Sequence, residues 1–218
     1  MWFIKGINLL EKIPIEELDN ISRNADTITI DRDKYLRPKT ETKDKIWLIK
    51  SGSLRLIKKI DVTKEVVLTK LEQGELFGFY TQGTDRVIKL LNTHTGVLCY
   101  LLQKETISSA LKKIPPESIK INININGSIV EIAPDLVSML YQPITDRTLN
   151  VLRILAKHFG VKKSRGTVIK SREIINILST AALLSNPVVI PSLIVMRKSG
   201  TIELYEDKII IKDESILA

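Results

Sequence analysis

The sequence predicts an α+β fold in two parts, strand-rich in its first half and helical in its second, and three observations predict it. From Thr27 to Leu102 the chain is written in short β-branched runs separated by turn residues, the pattern of a sandwich or barrel. From Ile144 onward apolar residues return at helical spacing in three successive segments, as amphipathic helices require. The chain then closes on TIELYEDKIIIKD, which reads as two strands with a turn around Glu206 and Asp207.

Taken in order, residues 7–24 (INLLEKIPIEELDNISRN) carry a helical period, with Pro14 opening the second segment as a proline in a first helical turn does. Candidate strands follow at 27–30 (TITI), 45–50 (KIWLIK), 53–60 (SLRLIKKI), 65–71 (EVVLTKL) and 96–102 (GVLCYLL). Gly52 and Gly74 stand at two of the breaks, where a positive φ is easily reached. ETISSALKKI reads as a helix stopped by Pro115 and Pro116. ITDRTLNVLRILAKHFG, 144–160, is an amphipathic helix with Gly160 at its C-terminal cap. SREIINIL, 171–178, is a second helix with Ser171 as N-cap, and a third lies within 187–199 and ends at Gly200. Helix, helix, helix and closing hairpin is the order of a winged helix-turn-helix.

Composition bounds the function classes. The 218 residues allow one large domain or two small ones, each able to bury a core. A hydrophobic fraction of 44% and a charged fraction of 27% are those of an ordinary globular chain. Nothing approaches the ~18 apolar residues of a spanning helix, and the start lacks the pattern of a signal peptide. No membrane partner is expected, and the location expected is a reducing compartment, the cytoplasm. The lone Cys99 agrees, since one cysteine forms no internal disulfide. A formal net charge of +8 and a pI of about 9.5 raise the expectation of a polyanionic partner. Isoleucine makes up about 15% of the chain, which with many lysines and asparagines suggests an AT-rich source genome. There is no phosphate-binding glycine loop, no paired metal-ligand spacing and no nucleophile elbow. His94 falls in a turn and His158 near a helix end. Catalytic residues, metal ligands and a resident cofactor are therefore not expected, and neither is an enzyme.

Three stretches together resemble the Crp/Fnr family of bacterial regulators, in particular its NtcA-type nitrogen regulators of cyanobacteria and red-algal plastids. IWLIKSGSLRLIKK with KEVVLTKLEQGELFG is similar to the family's barrel strands and glycine-punctuated turn. LNVLRILAKHFGV and the following GTVI are similar to the opening of its DNA-binding domain. SREIINIL and SNPVVIPSLIVMRKSGTIEL have the place and length of its helix-turn-helix and exit strand. The resemblance implies an N-terminal jelly-roll β-barrel of the cyclic-nucleotide-binding type over 1–114. It implies a connecting and dimerisation helix over 115–142 and a winged helix-turn-helix over 143–218. The implied protein is a homodimeric transcription regulator of nitrogen or carbon metabolism, cytoplasmic or, if plastid-encoded, in the plastid stroma, whose partners are double-stranded DNA and a small anionic metabolite. Ile125, Ile129, Ile132, Leu136 and Leu140 would supply the dimer seam. INININGSI and Pro134, however, are poor helix material.

In such barrels a loop beside the effector supplies backbone contacts and an arginine. Here these are Phe77, Gly78, Phe79, Tyr80 and Arg86. Phe79 or Tyr80 stands where cyclic-nucleotide binders carry a glutamate, so 2-oxoglutarate is the effector implied, held by Arg86 through charge-assisted hydrogen bonds. The second arginine and the glutamate of the family's site align with Ser128 and Ala133, which offer no such bonds. On the DNA side the resemblance assigns Lys170, Ser171, Arg172, Ser185, Asn186, Ser192, Arg197 and Lys198, within a basic cluster that adds Lys162, Lys163 and Arg165. Asn186 is the amide able to bond a base edge. Pro187, Val188 and Pro191 fill the other reading positions, and TAALL reads as a turn longer than the family's. Two readings stay open: a DNA-binding regulator, or an interaction protein of the same fold that has lost DNA reading or effector binding.

Overall fold

In the computed structural model, residues 2–32, 35–36, 45–59, 65–78, 88–92 and 96–217 are described. The chain divides into two compact units, Met1–Ser118 and Ile119–Ala218.

Among its described residues the first unit carries nine strands: β1 (Trp2–Ile4), β2 (Asp26–Ile30), β3 (Tyr35–Leu36), β4 (Ile46–Ser51), β5 (Leu54–Lys59), β6 (Glu65–Leu71), β7 (Leu76–Gly78), β8 (Ile88–Asn92) and β9 (Val97–Leu102). Among these described residues lie three helices, α1 (Leu9–Lys12), α2 (Ile15–Asn24) and α3 (Lys104–Lys112). The strands form two antiparallel sheets, ordered β1-β7-β4-β9-β2 and β3-β8-β5-β6. The five strands read from the sequence form as β2, β4, β5, β6 and β9. In β4, Ile46, Trp47, Leu48 and Ile49 are all buried, as a continuous apolar run in a central strand should be. Trp47 stacks on Phe77 of β7, ring centroids 5.5 Å apart and planes 17° from parallel. Cys99 in β9 is buried, and burial pushes its thiol up to about 12.

Glu75 anchors this unit. Its carboxylate is buried, with Oε1 accepting from Gly6 N–H at 2.7 Å and Oε2 from Glu72 N–H at 3.0 Å. The adjoining Gly74 sits at φ +81°, and a Cβ there would lie 1.8 Å from Asn8 Oδ1. The segment after β1 is thereby pinned to the turn before β7. Burial raises the Glu75 carboxyl above its ordinary value, while the two backbone donors and Lys5 pull it back in part.

The second unit opens with β10 (Ile121–Ile125) and β11 (Ser128–Ile132), a hairpin, and the four-residue helix α4 (Leu136–Met139). A continuous connecting helix over 115–142 is therefore not formed. The alternation in ININI puts Ile123 and Ile125 inward and Asn122 and Asn124 outward, the period of a strand. Asn126 and Gly127 turn the chain at φ 53° and 87°, the Asn-Gly geometry of a two-residue hairpin. Pro134 falls after β11, where no backbone donor is needed. Ile125, Ile132, Leu136 and Leu140 are buried, and Ile129 alone of that set is exposed, at 67%. The expected dimer seam therefore has no helix to carry it. Ser128 begins β11 and Ala133 follows it, so neither stands on a helix.

Next come α5 (Ile144–Phe159), β12 (Val161–Lys163), β13 (Gly166–Lys170), α6 (Ile174–Ala181), α7 (Asn186–Lys198), β14 (Ile202–Leu204) and β15 (Lys208–Ile211), with the four strands ordered β12-β13-β15-β14. Gly160 is extended at φ −74° rather than left-handed. Glycine is required there because a Cβ would lie 2.2 Å from Ala156 O and 2.6 Å from Thr167 Cγ2. Val151, Leu152, Leu155, Leu178, Val189, Leu193 and Ile209 supply much of the core. Among the described residues no single helix is long and apolar enough to cross a membrane.

Glu75→Ala should destabilise the first unit by about 2–4 kcal/mol, since two backbone N–H groups lose their acceptor; chemical denaturation checks this. The folded state holds the Glu75 proton more tightly than the unfolded chain. Its contribution is thus fully present below the ordinary value of 4.5 and fades as pH rises through the raised folded value. Thermal unfolding followed against pH should show this component lost in Glu75→Gln.

Gly160→Ala should cost about 1–3 kcal/mol by overpacking against fixed backbone, measurable as a lower midpoint of denaturation.

Candidate nucleic-acid interface

The candidate surface is built around α6 and α7, whose axes differ by 107° across the four residues Ala182–Ser185. The turn is thus no longer than a helix-turn-helix allows, contrary to the expectation for TAALL. It closes α6 with Leu184 N–H donating to Ser179 O at 2.8 Å and Leu183 N–H donating to Thr180 O at 3.1 Å. This Schellman arrangement needs a left-handed residue, here Leu183 at φ 52°. Helix α6 starts at Ile174, three residues later than its sequence signal. Ser171 does not cap it: its Oγ accepts from Glu173 N–H at 3.2 Å, and its own N–H donates to Asp207 O at 2.9 Å.

Ser185 is the N-cap of α7, its carbonyl accepting from Val188 and Val189 N–H at 2.9 and 3.1 Å. Asn186 is the first helical residue, and its amide is engaged on both sides. The Ser179 hydroxyl donates to its Oδ1, and its Nδ2 donates to Asn176 Oδ1. Asn186 thus ties α7 to α6, and one N–H and one lone pair of its amide remain beyond these two bonds. Ser192 is 6% exposed and lies on the inward side of α7 with Val189, Leu193 and Met196. Pro187 and Pro191 both face outward. The backbone bond lost at Pro191 leaves the carbonyl of exposed Pro187 to solvent, which explains why a proline is tolerated inside this helix.

Cations surround the pair. Lys162, Lys163 and Arg165 are exposed on the β12–β13 hairpin, Lys170 ends β13, Arg172 precedes α6, and Arg197 and Lys198 occupy the last turn of α7. The last two also suit the negative end of the helix dipole. The β14–β15 turn has a different character. Glu206 and Asp207 lie on it, Lys208 Nζ sits 4.7 Å from the Tyr205 ring centre, and Lys212 pairs with Glu203 at 2.7 Å. Lys212 and the Tyr205 hydroxyl together lower the Glu203 carboxyl below its ordinary value. Positive charge is concentrated on the β12–β13 hairpin and the helix pair.

A cleft of about 240 Å³ lies between the Asn126 turn and the sheet, lined by Phe159, Val161, Val168, Lys163 and Lys170. Asn126 Nδ2 donates to Lys170 O at 3.1 Å across it. Sequence reasoning missed this feature along with the hairpin. The Asn-Gly pair flanked by alternating isoleucines is the signal that would have found both.

Of the effector positions, Phe79, Tyr80 and Arg86 lie outside the described residues. Phe77 and Gly78 belong to β7, which is flanked on both sides, Phe77 opposite Phe3 and Trp47 and Gly78 opposite Trp2 and Ile46. The Phe77 ring lies in the core against Trp47, and its backbone runs between two neighbouring strands. Among the described residues no cluster of metal-ligating side chains occurs.

No protein-family profile matches the chain, and no curated sequence is similar to it. Solved structures similar to it include the CO-dependent transcription factor CooA from Carboxydothermus hydrogenoformans in its imidazole-bound form. That likeness is at 16% identity and TM-score 0.40, covering 98% of this chain and 97% of that one. Oxidised CprK in complex with o-chlorophenolacetic acid is similar at 13% identity and TM-score 0.37, covering 94% of this chain and 87% of that one. At these TM-scores the likeness is loose.

Asn186→Ala should lower stability by about 1–2 kcal/mol, the worth of the bonds that join the two helices. Denaturation by urea checks this.

Proposed function

We propose that the chain is a DNA-binding transcription regulator, with the first unit as a metabolite-sensing jelly roll and the second as a winged helix-turn-helix. The observation that carries this reading is the α6–α7 pair. Its 107° crossing lies within the roughly 90–120° of helix-turn-helix units, and it stands among exposed Lys170, Arg172, Arg197 and Lys198. Strand order supports the sensor half. Counting β2 to β9 as one to eight, the sheets read six-three-eight-one, with β1 added outside, and two-seven-four-five, an order that suits a double-sheet jelly roll. The effector class proposed is a small dicarboxylate such as 2-oxoglutarate, in the service of nitrogen or carbon regulation. Its support is the sequence resemblance and Arg86. A homodimer likewise rests on the resemblance alone.

Phosphate contacts supply the affinity in this reading, through charges indifferent to sequence. Replacing Lys170, Arg172, Arg197 or Lys198 by glutamine should weaken binding to all duplexes alike. Each loss should flatten the slope of log affinity against log salt by about one unit. Anisotropy titrations of promoter and random duplex at several salt concentrations test this, and an absence of binding at low salt would overturn the reading. That result would favour the second reading, an interaction protein of this fold, for which the observation is the engaged amide of Asn186.

A further inference from the structure

Phosphate binding leaves the outward side of α7 unexplained. Pro187, Ile190, Pro191, Ile194 and Val195 recur along it at intervals of three and four residues, which places them in one stripe. Ile190 is 37% and Val195 60% exposed, while Val189, Ser192, Leu193 and Met196 on the other side are buried. The stripe runs into Lys198 beside Arg197, and α7 contains no acidic residue. An occupant that fits must be apolar against the stripe and anionic at its end.

The major groove of duplex DNA meets both conditions. Its width of about 12 Å admits an α-helix, phosphates line its edges, and thymine presents a 5-methyl group on its floor. The polar side chains of the helix offer the groove little, since Ser192 is buried and half of the bonding capacity of the Asn186 amide is spent on Asn176 and Ser179. What remains is stiff and apolar. Proline rings have little freedom to lose, and β-branched side chains in a helix hold essentially one rotamer, so contact costs little entropy.

We propose that α7 selects thymine-rich duplex DNA by apolar contact with thymine methyl groups rather than by hydrogen bonds to base edges. The inference rests on the DNA-binding reading above and names the ligand of that same surface.

The test uses the full chain and four duplexes: one thymine-rich, the same with every thymine replaced by deoxyuridine, one rich in guanine and cytosine, and the last with cytosine replaced by 5-methylcytosine. Deoxyuridine keeps base pairing and charge and removes the methyl. Affinity should fall about fourfold for each methyl lost from contact, and 5-methylcytosine should strengthen binding relative to cytosine. The double variant Ile190→Ser and Val195→Ser, both exposed positions, should bind thymine and uracil duplexes alike with an unchanged salt slope. Equal affinity of the wild-type chain for both, with a steep salt slope, would overturn the inference and leave DNA binding standing. A thymine preference that survives the double variant would also overturn it. Equal affinity together with self-association that the double variant abolishes would assign the stripe to a second copy of the chain. No binding to any duplex at low salt would remove the DNA reading and the inference together.

Discussion

Leu183 holds a left-handed conformation that costs an L-residue about 1–2 kcal/mol, and much of the second unit is arranged around the reason it stays there. Its side chain is 4% exposed, packed in the core, and its backbone closes the end of α6 through paired bonds to Ser179 and Thr180. With that turn fixed, α7 can leave α6 in only one direction, and the Asn186 amide locks it by bonding Ser179 and Asn176. Val189, Leu193 and Met196 then face the core, and the prolines and Ile190 face out. Glycine at this turn would relieve the backbone but forfeit the leucine's burial, so packing outweighs strain.

The two kinds of contact on this surface divide the work differently. Lysine and arginine act over a Debye length of about 8 Å at physiological salt and need no fine placement. Methyl-sized apolar contacts act only on touching and depend on the angle that the α6–α7 junction imposes. A change at Asn176 or Ser179 would thus blur selectivity while leaving the electrostatic part intact.

How legible this was in the sequence depends on the range of the forces involved. The strands β2, β4, β5, β6 and β9 announce themselves through runs of five to seven residues, long enough for a period to show. β1, β3 and β7, at two or three residues, are too short to show one and form because longer partners hold them. The hairpin at 121–132 was legible locally, through Asn126-Gly127 and alternating isoleucines, but an expected helix for the whole segment masked it. The basic residues of the candidate interface could be read directly, because lysine and arginine stay at the surface by default. The roles of Asn186 and Ser192 could not. One is decided by bonds reaching ten residues back to Asn176 and the other by which side of α7 meets the core. The packing of Phe77 is likewise set at a distance, since only the sheet order reveals strands on both sides of it.

Cys99 gives the first unit a built-in clock. It is the chain's sole cysteine, lies in β9 between β4 and β2, and has its thiol pushed up to about 12. While the core is closed the sulfur is neither ionised at neutral pH nor reachable, so a thiol reagent in solution can react only when the packing over Cys99 opens. The rate of alkylation therefore counts openings of that core. Because no other residue competes for the reagent, mass spectrometry of the intact chain would time the breathing of one unit without any signal from the other.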